Sequence, residues 1–300
     1  MKYKKELNLK EYIELIDNKL NEYMEVLYPQ DLFKSMRYTV MLPGKRLRPI
    51  MCMEACHMLG GDFRRAIPTA CAIEMLHAQT LIHDDLPCMD NDDFRRGKIS
   101  NHRAFGEAIA VLAGDALLTF APQIILKHSD KLKPEQKMRI LEEYLHYAGA
   151  YGVIAGQVID IQSERGKIQV EGKKLELLNY IHLHKTADLF KLSIRTGAII
   201  AGANEEQLTV VTEFAEKLGL AFQIADDILD ETSSFSALGK TPGKDKTAGK
   251  LTFVSAFGLY NAQCKLTCLL SECYAILEQH DIKSEVFVEI IEGIKKRVKL

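Results

Sequence analysis

Apolar residues along this chain recur at three- and four-residue spacing. Leu9, Tyr12, Ile13, Ile16, Leu20, Tyr23, Met24 and Leu27 fall on one stripe, the period of an amphipathic helix, and Pro29 breaks it. Pro43-Gly44 marks a loop, and Pro49 suits the first turn of a helix that closes at Gly60-Gly61. Asp62 is placed to cap a further helix, which tolerates Pro68 near its start and runs to about Asp85, before Pro87. The same period predicts helices over about 104–128, 134–150, 173–201, 204–231, 249–280 and 284–298. Pro122 should kink the first of these, and Gly149, Gly152 and Gly156 weaken the stretch between two others. No run alternates with period two, no segment repeats, and no linker divides the chain. Thr232–Gly249 reads as the longest loop. The pattern predicts a single all-α domain over residues 1–300, a bundle of roughly ten helices.

Composition narrows the function. The chain has 300 residues, 47% hydrophobic and 27% charged, as a soluble globular protein has. Lys and Arg number 39 against 41 Asp and Glu, a net charge of −2. That balance argues against a dedicated nucleic-acid binder but leaves room for a small phosphorylated ligand. Seven cysteines, an odd count without a Cys-x-x-Cys, read as reduced thiols of a cytoplasmic protein. Cys52/Cys56 and Cys264/Cys268 have helical spacing, but no second pair or His cluster completes a metal site. The N-terminus lacks a signal-peptide core, and apolar runs such as Gly197–Ala203 fall short of the roughly 20 residues a membrane span needs. A soluble protein without stable membrane anchoring is expected.

Two acidic clusters carry the chemistry. One is His83-Asp84-Asp85-Leu86-Pro87-Cys88-Met89-Asp90-Asn91-Asp92-Asp93; the other is Asp226-Asp227-Ile228-Leu229-Asp230-Glu231. Asp226 and Asp230 are one helical turn apart on one face. In the first cluster the chain turns at Pro87, so Asp90 can return toward Asp84. Like charges so spaced destabilise a bare helix, and neither cluster has Lys or Arg interleaved to offset them. A divalent cation removes the repulsion, and Mg²⁺ prefers a few carboxylates with water and substrate phosphate. A calcium loop starting at Asp90 fails, because its sixth position is Arg95 rather than Gly.

Basic residues alternate with these clusters: Lys45, Arg46 and Arg48 before the first, Arg95 and Arg96 after it, Lys185 further on, and Lys240, Lys244 and Lys250 after the second. Guanidinium and ammonium groups grip diphosphate directly, whereas carboxylates grip it through metal. Two kinds of grip suggest two diphosphate substrates. No phosphate-binding Gly-rich loop and no nucleophilic Ser motif offers another chemistry. The basic end Lys295-Lys296-Arg297-x-Lys299 reads as a solvated helix end, with a cap on a diphosphate site as the alternative.

In order along the chain stand Gly-Lys-Arg-Leu-Arg-Pro, Leu-Ile-His-Asp-Asp-Leu-Pro-Cys-Met-Asp-Asn-Asp-Asp, Arg-Arg-Gly, Phe-Gly-Glu-Ala, Leu-Ala-Gly-Asp-Ala-Leu, Gly-Gln-x-x-Asp, His-Lys-Thr, Phe-Gln-x-x-Asp-Asp-Ile-Leu-Asp and Gly-Lys-x-x-Gly-Lys-Asp. Together they resemble the trans-isoprenyl diphosphate synthases, the family of farnesyl and geranylgeranyl diphosphate synthases and geranyltranstransferases, from about Gly44 to Thr252. The resemblance implies an all-α bundle around a deep central cavity, a homodimer, and head-to-tail condensation of isopentenyl diphosphate with dimethylallyl or geranyl diphosphate. It implies Asp84, Asp85, Asp90 and Asp226 as ligands of about three Mg²⁺ ions, with Asp227 and Asp230 in support. Arg95, Lys185, Thr186, Gln223 and Lys240 match allylic-diphosphate positions. Lys45, Arg48, His77 and Arg96 match the isopentenyl diphosphate site.

Product length is expected to depend on Gln79 and Thr80, five and four residues before Asp84 and so about 6–7.5 Å below the metals. Bulky aromatics there block growth in the family. Gln79 stands where similar farnesyl synthases often carry Tyr, while the residues inserted between Asp85 and Asp90 favour short products. The expectation is a C15 product, farnesyl diphosphate, with C20 geranylgeranyl diphosphate as the alternative. A terpene cyclase would leave Lys45, Arg48 and Arg96 without a purpose, and a non-catalytic partner subunit would generally lack an aspartate motif.

Overall fold

Helix α4 (Ile67–Asp84) is apolar on nearly every side and buried along most of its length, the pattern of a helix enclosed by others. The structure is a computed structural model that describes residues 7–164, 168, 172–232 and 251–299. Against α4 pack α3 (Leu47–Met58), α6 (Glu107–His128), α10 (Asp188–Ala201), α1 (Leu9–Tyr23) and α2 (Gln30–Val40). Helix α11 (Glu205–Thr232) joins α10 to α13 (Leu259–Gln279) and α14 (Glu285–Arg297). Helices α5 (Asn101–Phe105), α7 (Pro134–Ala148), α8 (Val153–Glu164), α9 (Lys174–Ile181) and α12 (Phe253–Phe257) complete the described bundle. A two-residue hairpin, β1 (Phe94–Arg95) with β2 (Lys98–Ile99), is the one sheet among the described residues.

The periodic pattern located most of these helices and missed two. Helix α2 escaped because its buried face includes Ser35 and Thr39. Their hydroxyls are satisfied by Asn101, whose amide donates to Thr39 Oγ1 at 2.9 Å and whose Oδ1 accepts from Ser35 Oγ at 2.7 Å. Helix α8 escaped because Gly156, a weak helix former, sits inside it. Gly106 and Gly258, both at positive φ, divide 104–128 and 249–280 into a short helix and a long one. Pro122 lies within the continuous α6. Its missing N–H leaves the Leu118 carbonyl unpaired four residues back, and Tyr144 Oη donates to that carbonyl at 3.2 Å.

Helix α6 is long and apolar enough by length and composition to cross a membrane, although Asp115 divides it into short apolar runs. Its inner side, Ala113, Gly114 and Leu117, is buried in the bundle, while Val111, Leu112 and Leu126 are exposed. The thiols of Cys52, Cys56, Cys71 and Cys273 are buried, and those of Cys88, Cys264 and Cys268 are exposed. Burial pushes the Cys52 thiol up to about 12, so it stays protonated.

Helices α3 and α10 cross backbone to backbone. A Cβ on Gly197 would lie 2.1 Å from the carbonyl oxygen of Cys52, which has no flexible end to give way. Gly197→Ala is therefore expected to destabilise the chain by about 3 kcal/mol, read as a lowered denaturation midpoint; an unchanged midpoint would mean that the two helices can separate freely.

Candidate active site

Helix α4 ends at Asp84, and the acidic loop folds back over that end. The backbone N–H of Asp90 donates to the Asp84 carbonyl at 2.9 Å, and that of Asp92 to the Asp85 carbonyl at 3.2 Å. Asn91 takes a left-handed φ of 50° to close the turn. Asp90 thus returns to Asp84, as the Pro87 turn predicted. The Asp84 carboxyl is pushed up to about 6, first by burial, then by Asp90 and Asp85, with Lys185 and Arg95 opposing. Asp85 is engaged otherwise. It is buried and accepts from Arg95 Nε at 2.9 Å and from Arg95 Nη2, while Arg95 also reaches Asp92 at 3.4 Å. The expected metal ligand Asp85 and the expected diphosphate ligand Arg95 therefore hold each other, because a buried carboxylate requires a partner.

A second wall is basic. Arg46 is buried, with a left-handed φ of 48°, and bridges Glu74 at 2.7 Å and Asp17 at 2.8 Å. Arg96 reaches Glu74 at 3.8 Å and lies so close over Gly44 that a Cβ there would meet its Nη1 at 2.6 Å. Arg48 donates to His77 Nε2 at 3.4 Å. An arginine only donates, so Nε2 is the acceptor and the proton sits on Nδ1. Burial, then Arg48, Arg96, Arg95 and Arg46, hold His77 well below the usual imidazole range, so the ring is neutral. Burial also pulls Arg48 down to about 10. His77 Nδ1 and Arg48 Nε are buried donors with no acceptor. Cations crowded around donors that lack acceptors fit an anion with several oxygens. Lys45, on the loop before α3, is pulled down by burial and then by Arg297, and raised by Asp226.

The third wall is a π-helix, His182–Ala187, between α9 and α10, a form common at functional sites. Gly156 of α8 lets it approach: a Cβ there would lie 2.3 Å from the Lys185 backbone nitrogen. Lys185 Nζ donates to the buried Asp160, the last residue of the Gly-Gln-x-x-Asp motif. Thr186 Oγ1 donates to Gln223 Oε1 at 2.5 Å, and Gln223 Nε2 donates to Asp227 Oδ1 at 2.9 Å. The other oxygen of Asp227 accepts from the backbone N–H of Phe253 at 2.8 Å and lies 3.4 Å from His182 Nε2. Asp227 anchors the start of α12 to α11. Asp226, on the adjacent face, pairs with Arg297 at 2.7 Å, and the Arg297 guanidinium lies 5.3 Å from the Phe222 ring. Of the basic C-terminal residues, Arg297 is thus at the site, while Lys295, Lys296 and Lys299 are exposed, as a solvated helix end would be. Lys240, Lys244 and Lys250 lie outside the described residues.

Sequence reasoning missed Asp160, Glu74 and His182, and held Arg297 at the site only as an alternative. Asp160 had a signal in its motif. The others act across helices, through contacts that spacing does not encode. The two expected floor residues separate. Thr80 lies about 40° from Asp84 around α4, and Gln79 about 140°. Gln79 is buried toward α6, its Nε2 donating to His83 Nδ1 at 3.0 Å, while His83 Nε2 donates to the Val111 carbonyl at 3.2 Å.

Among the described residues, no three His, Cys, Asp or Glu side chains group closely enough to hold a metal unaided. The all-oxygen donors Asp84, Asp90 and Asp226 and the raised Asp84 carboxyl fit a hard divalent ion that completes its shell with substrate and water oxygens. In the metal-free chain the Asp84 anion is a cost, present above about pH 6 and gone below the ordinary carboxylate value of 3.8. Asp84→Asn should thus raise the free energy of unfolding at neutral pH by about 2 kcal/mol, with a gap that closes on acidification. A variant less stable than wild type at pH 7.5 would contradict that electrostatic picture.

The chain matches the model of the polyprenyl synthetase family over residues 29–291. It is 41% identical over 294 residues to a dimethylallyltranstransferase of Fischerella ambigua, covering 97% of this chain and 84% of that one. It is 39% identical over 284 residues to a geranylgeranyl diphosphate synthase of Cyanophora paradoxa, covering 95% and 93%. Its fold superposes on a geranyltransferase of Helicobacter pylori, solved with magnesium and isoprenyl diphosphate, with a TM-score of 0.82 and 29% identity over 97% of this chain and 96% of that one. The all-α isoprenoid synthase fold that the motifs implied is the fold of this chain, and the chain belongs to the polyprenyl synthetase family.

Proposed function

We propose that the chain is a magnesium-dependent trans-prenyl diphosphate synthase that adds isopentenyl diphosphate to dimethylallyl, geranyl and farnesyl diphosphates, ending at C20. The observation that carries the reading is the pairing of unlike walls at one mouth. Asp84, Asp90 and Asp226 are suited to metal-bound diphosphate, and Lys45, Arg48, His77 and Arg96 to diphosphate held directly.

In this reading Asp84, Asp90 and Asp226 would hold Mg²⁺, which when bound neutralises charge building on the leaving diphosphate. Lys185, fixed by Asp160, adds an ammonium at the same diphosphate. The Thr186 and Gln223 oxygens present dipoles to the allylic cation without capturing it. Arg48, Arg96 and neutral His77 hold isopentenyl diphosphate so that its double bond lies near that cation. The proton then lost from the new chain passes to the released diphosphate. The apolar bundle below keeps water away.

The sequence pointed first to C15. Two observations favour C20: α4 carries no aromatic residue between Ile67 and Asp84 to block a growing chain, and the Cyanophora relative bears the geranylgeranyl name. Purified protein with Mg²⁺, isopentenyl diphosphate and dimethylallyl diphosphate, its products dephosphorylated and separated by length, should give mainly a C20 alcohol. A C15 alcohol would restore the first reading, and no condensation would defeat both. Asp84→Ala and Asp226→Ala should each lower turnover by about 10³-fold or more.

The same reading includes a homodimer. Val111 and Leu112 on α6, Met138 and Leu145 on α7, and Ile154 and Val158 on α8 are exposed apolar residues on neighbouring elements, and a second copy would cover them. Mass photometry should find a dimer, and Leu112→Glu with Leu145→Glu should return it to monomer; a wild-type monomer would remove this part.

A further inference from the structure

We infer that the end of the bundle remote from the aspartates carries a second, metal-independent anion site that takes a compact diphosphate group. A cavity of about 240 Å³ lies between the end of α1, the 3₁₀ turn Phe63–Ala66, the start of α4 and the segment after α6. The length of α4, 18 residues, separates it from Asp84 by about 25 Å. It shares no residue with the mouth described above.

Charge is the first argument. Lys19, Arg64, Arg65 and Lys131 line the cavity, against one lining carboxylate, Asp130. Lys19 is matched by Glu22 at 2.6 Å and Arg64 by Asp62 at 3.3 Å. Arg65 makes no ion pair among the described residues, and the Lys131 ammonium has no partner there. The walls therefore hold an excess of positive charge, and α4 adds the positive end of its dipole by starting at this cavity, with Pro68 in its first turn.

Unsatisfied donors are the second argument, independent of the first. Arg65 Nη2 donates to the Lys131 carbonyl at 3.1 Å, which fixes the guanidinium on the wall, yet Arg65 Nε is buried with no acceptor. Ser129 also lines the cavity; it is 2% exposed, and its hydroxyl is buried with no partner. A buried donor left unpaired is costly, and two of them beside unpaired cations lack the same thing, acceptor oxygens carrying negative charge. Phosphoryl oxygens supply both. The group could belong to free diphosphate or to the head of a prenyl diphosphate whose chain lies along the apolar wall of Ile67 and Leu132.

The test is isothermal titration of the full chain in excess EDTA, with Arg48→Gln and Arg96→Gln silencing the mouth and inorganic diphosphate as the probe. One diphosphate per chain should still bind, and Lys131→Glu, an exposed charge reversal, should weaken it tenfold or more. Ser129→Ala should weaken it about threefold. Geranyl diphosphate binding with the same affinity identifies the free anion as the ligand, and tighter binding identifies a prenyl diphosphate. Loss of all binding when the mouth is silenced, or full binding in Lys131→Glu with circular dichroism unchanged, overturns the site. These results do not depend on condensation, so failure of the proposed activity and failure of this site can be told apart.

Discussion

Like charges held together at the mouth of an apolar bundle are the constraint on which the site rests. On one wall, burial and neighbouring carboxylates push Asp84 up to about 6. On the other, burial and neighbouring guanidiniums pull Arg48 to about 10 and keep His77 neutral. Arg95 closes onto Asp85 and Arg297 onto Asp226, while among the described residues Arg48 and Arg96 close onto none of the motif aspartates by an ion pair. Glu74 is a buried carboxylate set among these guanidiniums, with Arg46 at 2.7 Å and Arg96 at 3.8 Å. Such segregation costs stability in the empty chain; under the proposed function, metal and diphosphate would release it, so binding free energy would be reserved for the ligands.

The rest of the bundle holds that segregation in place. Close helix crossings at Gly197 and Gly156 bring α3 to α10 and α8 to the π-helix at backbone distance, which fixes Arg48 and Lys185 against their surroundings. Fixed carboxylates do the aiming. Asp160 holds Lys185, Asp85 holds Arg95, and Asp227 joins Gln223, His182 and the start of α12. Of the six aspartates in the two short motifs, these structural ties claim Asp85 and Asp227, Asp230 is buried, and Asp84, Asp90 and Asp226 are the three proposed to face ligand. Asp226 is met by the Arg297 guanidinium at 2.7 Å.

The helical period and the proline and glycine punctuation made the all-α architecture legible, and the two acidic clusters with alternating basic motifs made the site legible. What stayed hidden had physical reasons. Helix α2 buries hydroxyls matched by Asn101, so its apolar period is broken, and α8 carries a glycine that serves a close approach. Arg297 comes from the far end of the chain, and no local pattern could pair it with Asp226. Gln79 was placed by distance along α4 alone. Its direction around the helix, toward His83 and α6, depends on a hydrogen bond that only the packed structure supplies.

The central claim is that one mouth holds two diphosphates by two different chemistries. Titration calorimetry of each substrate with and without EDTA tests it most directly. The account predicts that isopentenyl diphosphate binds the metal-free chain nearly as well as the Mg²⁺-loaded one, whereas a non-ionising thiolo analogue of geranyl diphosphate binds at least a hundredfold more tightly with Mg²⁺. Equal metal dependence for both ligands would contradict it.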